Sequence, residues 1–361
     1  MSGLNLWAEI DCEVSSQGLF EKSRVLSTAT RRGWSKSMDT MKAVRVDVCG
    51  AAEQMSVKEV PLPTPGAGEV RVKLKACGIN LIDTYHRSGL YPLALPTGLG
   101  CEGAGLVDAL GEGVDDLSEG DRVGFAMAMG AYAEAIVLPR AALVKIPTGV
   151  TDEEAAAVLL KAMTVDYLFN DTFPLSGGET VLFHAAAGGV GLIACQWAKQ
   201  KGVRLIGTAS TQAKCDLAVS HGAEACLLSD DPELSNKLRA YAPDGFPVVY
   251  DSVGRSTYRL SLGLLAPLGT FVSFGNASGP IDAVVPGELA LSGSLYFTRP
   301  TLATHMARPG WMQASADRIF GLIEAGYLRV DVNQRYPLSD VVRAHNDLEG
   351  RRTTGSSVLI P

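Results

Sequence analysis

The chain has 361 residues, 47% of them hydrophobic and 20% charged, with a formal net charge of -7. That length allows two domains with sizeable cores, no run of 18 apolar residues offers a membrane span, and the acidic balance argues against a nucleic-acid or anionic-membrane surface. The seven cysteines, at 12, 49, 77, 101, 195, 215 and 226, are odd in number and never form a C-x-x-C pair, so they read as reduced thiols of a cytoplasmic protein without a zinc knuckle.

Residues 1–40 differ in composition from the rest of the chain. Glu9, Asp11 and Glu13 make the start acidic, and Lys22, Arg24, Arg31, Arg32 and Lys36 then lie among serines and threonines. The basic half has some organelle-presequence character, but the acidic start spoils it, so the segment is expected to be a disordered extension ahead of Met41. From there the pattern is β. Val44, Val46 and Val48 alternate with polar residues, as do Val70, Val72, Leu74 and Ala76, and Pro61, Pro63, Pro65, Gly66 and Gly68 mark the loop between. Glycines at 111, 113 and 120 punctuate further short strands up to Val137. Around Asp152-Glu153-Glu154 the pattern turns helical, with acids where the helix dipole favours them.

The most informative stretch is Val181 to Gly191. An apolar strand, Thr180 to Phe183, enters a turn of small residues, and a helix over Leu192 to Lys201 follows, closed by Gly202. The spacing Ala185-x-x-Gly188-x-x-Gly191 fits a dinucleotide-binding turn. Gly188 is expected to take backbone angles denied to larger residues, while Gly189 and Gly191 let the chain approach a pyrophosphate and pack helix against strand, with the helix-start N–H groups facing the anion. A second strand, Val203 to Ile206, runs into Gly207-Thr208-Ala209-Ser210-Thr211-Gln212-Ala213-Lys214, with no carboxylate before Asp216. NAD sites place an acid there for the ribose, so hydroxyls and a cation favour NADPH; the alternative is that Lys214 only solvates a helix face.

The alternation continues as a helix near Gln212 to Ser220, a strand Ala225 to Leu228 and a helix from Pro232 to Tyr241 with Asp231 as its N-cap. Strand Val248 to Tyr250, a helix near Tyr258 to Leu265 and strand Thr270 to Phe274 follow. Near residue 302 it stops. The expected fold class is therefore α/β: an antiparallel β domain over 41–163 and 302–361, interrupted by a doubly wound parallel-sheet Rossmann domain over 164–301. Asn170 and Asn276 sit in glycosylation patterns that carry no weight without a secretory signal. His184 reads as a strand-end packing residue, and His86, His221, His305 and His345 lack ligand spacing.

Several motifs occur together in order: Asn80-Leu81-Ile82-Asp83-Thr84-Tyr85-x-Arg87-Ser88-Gly89-Leu90-Tyr91-Pro92, Phe183 to Gly191, Tyr250-Asp251-Ser252-Val253-Gly254, Ser273-Phe274-Gly275-Asn276 and Gly355 to Pro361. From Met41 to Pro361 the chain resembles the NADPH:quinone oxidoreductases, the zeta-crystallin-like, zinc-free branch of the medium-chain dehydrogenase/reductase superfamily. The resemblance implies that the β domain is GroES-like. Zinc alcohol dehydrogenases of the superfamily carry a cysteine and a histidine where this chain has Asn80 and Cys101, so no metal is expected, and Cys101-Glu102 cannot supply a catalytic zinc's ligands. A quinone accepts hydride without Lewis-acid help because its product is aromatic, so a small quinone is the expected substrate.

Carried over residue by residue, the resemblance implies that Asn80, Tyr85 and Tyr91 are catalytic, with the two phenols as hydroxyl donors to the quinone oxygen or as pocket lining. It implies cofactor contacts at Asn80, Asp83, Tyr167, Gly188, Gly189 and Val190, and at Ser210, Thr211, Lys214 and Arg351 for the 2′-phosphate. Further contacts are implied at Ser252, Phe274, Gly275, Asn276, Phe297, Thr298 and Arg299. Ser229 stands where close relatives have a tyrosine at the adenosine site. A homodimer joined through strand edges is also implied. Two other readings remain: a zinc-free enoyl or alkenal reductase, and an NADPH-binding crystallin-like or RNA-binding protein, the latter weakened by the lack of a basic, aromatic-interleaved patch.

Overall fold

A computed structural model describes residues 39–361, and the expected extension over 1–40 lies, apart from its last two residues, outside them. No helix of the described residues is long and apolar enough to cross a membrane.

Three sheets carry the architecture. A seven-stranded sheet runs in the order Val332–Pro337, Ser356–Ile360, Glu69–Ile79, Glu102–Leu110, Arg122–Ala126 and Val144–Lys145, with Ala135–Pro139 also pairing to Glu69–Ile79. All pairs are antiparallel except that between the two C-terminal strands, which is parallel. A small three-stranded sheet joins Met55–Pro61, Thr40–Val46 and Thr97–Gly98. Alternation in its central strand buries Val44 and Val46, but the strand ends there and Val48 is left exposed beyond it.

The third sheet has six parallel strands in the order Ala225–Leu228, Arg204–Ala209, Thr180–Phe183, Phe246–Asp251, Leu265–Ser273 and Tyr296–Thr298. Counting from Thr180–Phe183 as first, this is the 3-2-1-4-5-6 order of a doubly wound sheet. Ligands bind such sheets outside the strand ends where the order reverses, here between Thr180–Phe183 and Phe246–Asp251. These strands are short apolar runs because both faces are covered: Val181, Leu182, Val248 and Val249 have no exposure.

Four helices position the site. Helix α1 (Leu81–Ser88) follows the long strand Glu69–Ile79, and α2 (Asp152–Asp166) is capped by Thr151, whose hydroxyl accepts from Glu154 N–H. Helix α2 is buried from Ala155 to Asp166 and passes into one wider turn, Tyr167–Thr172. Helix α3 (Gly189–Gln200) starts three residues before the apolar periodicity predicts, because Gly188 caps it. Helix α4 (Gln212–Ser220) is capped by Thr211. Asp231 is not an N-cap as expected: its carboxylate accepts from Glu233 N–H, and that helix begins only at Leu234.

Candidate active site

The turn after Thr180–Phe183 corrects one expectation. Gly188 has ordinary angles (φ -76°), and the left-handed residue is Ala185 (φ 56°). A methyl side chain is small enough to bear that conformation at about 1–2 kcal/mol. The glycines serve close approach instead. A Cβ on Gly191 would lie 2.5 Å from Ala185 O, and one on Gly189 would lie 2.9 Å from Lys161 Cδ and 3.2 Å from Gly355 O. The first bond of α3 runs from Leu192 N–H to Gly188 O (2.9 Å), so the N–H groups of Gly189, Val190 and Gly191 precede the helix ladder and are available to an anion.

Beyond the second strand, Ser210 and Thr211 lead into α4, where Lys214 N–H donates to Thr211 Oγ1 (3.3 Å). Lys214 Nζ donates to the backbone oxygen of Arg351 (2.9 Å), which brings two cationic side chains together. Burial first, and the Arg351 charge second, push the Lys214 ammonium below its usual range. Neither side chain has a carboxylate partner among the described residues. A phosphate dianion is the chemistry that such a pair lacks. Ser229 N–H donates to Ala209 O (2.8 Å), so the residue that replaces a tyrosine stands directly at this strand end.

A cavity of about 290 Å³ opens at the sheet's switch point, between the α3 turn and α1. Eleven of the expected site residues line it: Asn80, Tyr85, Tyr91, Tyr167, Gly188, Gly189, Val190, Ser252, Phe274, Gly275 and Arg299. Gly275 is needed for space, since its Cβ would sit 2.4 Å from Ser252 O. Asp251, itself fully buried, ties this loop by accepting from Val253 N–H, Gly254 N–H and Ser261 Oγ. His184 completes that mesh through Thr208 and Ser261.

The two phenols form one cluster. Tyr85 and Tyr91 meet edge to face with centroids 5.3 Å apart. Tyr85 Oη accepts from Asn276 N–H (3.2 Å), and Tyr91 Oη accepts from Asn276 Nδ2 and Arg299 Nη2 (both 3.1 Å). Burial raises the Tyr85 phenol above its ordinary value, so it keeps its proton at neutral pH. With their oxygens accepting, both phenols retain an O–H to donate. Asn276 itself does not line the cavity; it orients the phenols.

Three expected contacts are placed elsewhere. Asp83 is fully buried beneath α1: its Oδ2 accepts from Asn80 N–H (2.8 Å) and Tyr132 Oη (2.7 Å), and burial lifts its carboxyl to about 6. Phe297 stacks on Phe271 (5.1 Å between centroids) within the sheet's core, and Thr298 ends the same strand outside the cavity lining.

Lys161, which sequence patterns did not single out, also lines the cavity, and Glu102 lies behind it. Glu102, fully buried, accepts from Leu160 N–H (2.7 Å), Asn80 Nδ2 (2.9 Å) and Lys161 Nζ (3.2 Å). The available signal was Lys161 as the one charge in the apolar run Ala155 to Val165. This arrangement does not suit a catalytic zinc: Asn80 spends its amide on Glu102, Glu102 is paired with an ammonium, and burial lifts the Cys101 thiol far from thiolate formation. Among the described residues no group of three or more His, Cys, Asp or Glu side chains is spaced to hold a metal ion. NADPH does suit the site, with free helix-start N–H groups, glycine cradles that a Cβ would fill, a cation pair for the extra phosphate and an aromatic-walled cavity beyond.

Known proteins are similar to this chain in sequence and fold. Residues 66–148 match the alcohol dehydrogenase GroES-like domain and residues 189–308 the zinc-binding dehydrogenase domain. The chain is 50% identical over 323 residues to a quinone oxidoreductase of Pseudomonas aeruginosa, covering 89% of this chain and 99% of that one. It is 45% identical over 319 residues to quinone oxidoreductase 1 of Escherichia coli, covering 86% and 97%. The crystal structure of the Escherichia coli quinone oxidoreductase complexed with NADPH superposes with a TM-score of 0.87 at 43% identity, covering 89% of this chain and all of that one.

Proposed function

Since the chain belongs to the quinone oxidoreductase family of the medium-chain dehydrogenases/reductases, we propose that it is an NADPH-dependent quinone reductase that works without zinc. The observation that carries the reading is a switch-point cavity lined by the free helix-start N–H groups and two proton-bearing phenols, with a cation pair at the end of the next strand. Gly188, Gly189 and Val190 would hold the pyrophosphate, Ser210, Thr211, Lys214 and Arg351 the 2′-phosphate, and Tyr167, Ser252, Phe274 and Gly275 the nicotinamide half. When bound, NADPH supplies the hydride. The chain's own part is to exclude water and orient the acceptor. Phe183, Met127, Leu160 and Leu302 give the cavity apolar walls, and Tyr85 and Tyr91 donate to the acceptor's carbonyl oxygen from positions fixed by Asn276 and Arg299. The reading places the cofactor domain at 164–301.

A homodimer belongs to the same reading. The strand Tyr296–Thr298 ends the parallel sheet with one side unpaired, and Tyr296, Leu291 and Leu268 are exposed around it. A second copy is the partner that such an edge suits. Free, buried Cys77, Cys101, Cys195 and Cys215 support a cytoplasmic setting.

The test is NADPH oxidation with 1,2-quinones, 1,4-quinones and 2-alkenals, each repeated with NADH. Quinone-dependent turnover that prefers NADPH is expected. Turnover with alkenals alone would move the chain to double-bond reduction, and none with any acceptor would overturn the enzymatic reading. Light scattering gives the mass of the assembly, expected at twice the chain.

A further inference from the structure

The Lys161–Glu102 pair is unusual in its place. Among the described residues it is the one ion pair in which both side chains are more than nine-tenths buried. Helix α2 around it is packed by Ala155, Ala156, Ala157, Leu159 and Met163, none exposed, so packing alone asks only for an apolar side chain at 161. A buried ion pair is poor value for stability compared with apolar replacements of similar volume. The pair is also lopsided. Glu102 accepts from three donors, whereas the only bond from Lys161 Nζ among the described residues is the 3.2 Å contact with Glu102. Two ammonium N–H directions are thus uncommitted, and Lys161 lines the cavity.

The pair is also tied to the neighbouring helix start: the Asn80 amide shares a single oxygen, Glu102 Oε2, with the Lys161 ammonium. The lysine stem meanwhile runs against Gly189, where an added Cβ would lie 3.0 Å from Lys161 Cε. The ammonium is thereby fixed between the glycine turn at the start of α3 and the Asn80 amide at the start of α1.

We propose that Lys161 is a further catalytic residue, a fixed cationic hydrogen-bond donor to the carbonyl oxygen of the acceptor on which negative charge builds during reduction, with Glu102 and Asn80 as its positioning residues. A preorganised donor in an apolar, water-poor cavity stabilises such charge far better than one in water, because its orientation is set before the reaction. Glu102 holds the ammonium in place and aims it. This inference rests on the quinone-reductase reading.

The test compares wild type with Lys161→Met, Lys161→Arg and Lys161→Ala using NADPH and 1,4-naphthoquinone. NADPH affinity is followed separately by quenching of protein fluorescence. Lys161→Met is expected to lower kcat by about 100- to 1,000-fold, the range for loss of one such donor, with the NADPH Kd changed less than about threefold. Lys161→Arg is expected to retain more activity than Lys161→Met, and ethylammonium to restore part of the Lys161→Ala rate saturably, which a packing role does not allow. Thermal melts check folding. Where removing the charge unfolds the chain, Lys161→Met with Glu102→Gln leaves no unpaired buried charge and must show the same kcat loss. A kcat for Lys161→Met within threefold of wild type overturns the proposal, as does an NADPH Kd that weakens by the factor lost in kcat/KM. Absence of quinone turnover in wild type overturns the functional reading itself; failure confined to the variants leaves that reading standing.

Discussion

Two cationic places in this molecule are built in opposite ways. At the cavity floor the Lys161 ammonium is buried and matched by Glu102 at 3.2 Å. Beyond the second strand of the parallel sheet, Lys214 and Arg351 lie together with more solvent and no carboxylate partner among the described residues. The difference follows from dielectric: a charge taken out of water needs its counter-ion within the fold, whereas a cation at the surface can remain solvated until an anionic ligand arrives. The first arrangement needs its partner within the fold, and the second leaves its charges open to an anionic ligand.

The comparison can be broken at either place. Glu102→Ala should have the largest effect, since it strands the Lys161 ammonium and the Asn80 amide in the interior; about 3–5 kcal/mol of stability should be lost in urea unfolding. A loss below about 1 kcal/mol would mean that water reaches the pair. Lys214→Ala and Arg351→Ala should each leave the melting temperature almost unchanged while weakening NADPH binding by about 1.5–3 kcal/mol, the range for hydrogen bonds to charged groups. NADH binding, which lacks the 2′-phosphate, should not respond. Equal weakening of both cofactors would place the phosphate elsewhere.

A buried neutral base sharpens the contrast through pH. Arg87 can only donate, so its 3.1 Å contact makes His345 Nδ1 an acceptor, and Nε2 carries the proton toward Tyr132 Oη. Burial first, and the Arg87 charge second, push His345 from 6.5 to about 3. A base whose folded value is lowered contributes stability that is present above its unfolded value and lost as the pH falls from 6.5 toward 3. Asp83 has the opposite sign: burial raises its carboxyl from 3.8 to about 6, so its contribution is complete below 3.8 and disappears as the pH rises through 6. The two oppose each other across the shared window. His345→Gln should therefore remove an acid-side loss of up to about 1.4 kcal/mol per pH unit, seen as a shallower fall of the urea midpoint between about pH 6.5 and 4 than in wild type. Parallel curves for the two proteins would assign the acid sensitivity to other groups. The smallest effect belongs to an exposed pair, Arg255 and Asp282, 2.7 Å apart with both side chains more than half exposed. Asp282→Ala should change stability by no more than about 0.5 kcal/mol at low salt, and by less at about 1 M salt.

Much of the molecule was readable along the chain. The apolar run Thr180 to Phe183, its small-residue turn, and the lack of a carboxylate before Asp216 identify a dinucleotide site with a preference for NADPH, and the α/β alternation after it predicts the parallel sheet. These are local properties. Periodicity, capping and turn chemistry are fixed by residues within a few positions of one another, so the chain carries them in order. The motifs around Asn80, Tyr250 and Ser273 add the family.

What the tertiary structure decided are the contacts between distant segments. Lys161 meets Glu102 across 59 residues, Asn276 meets Tyr85 across 191, and Arg299 meets Tyr91 across 208. No periodicity records such pairs, because they exist only once the sheets and helices have closed around the cavity. The same closure turns Asp83 inward to Tyr132 and Phe297 onto Phe271, although Ile82 and Arg299, close to them in the chain, line the cavity. It also gives the left-handed turn position to Ala185 and spends Gly189 and Gly191 on close approach. The sequence by itself pointed to a dinucleotide and to a small-residue turn that suits one. Packing decided which side chains face it, since a side chain's direction is set by the neighbours that exclude it from everywhere else.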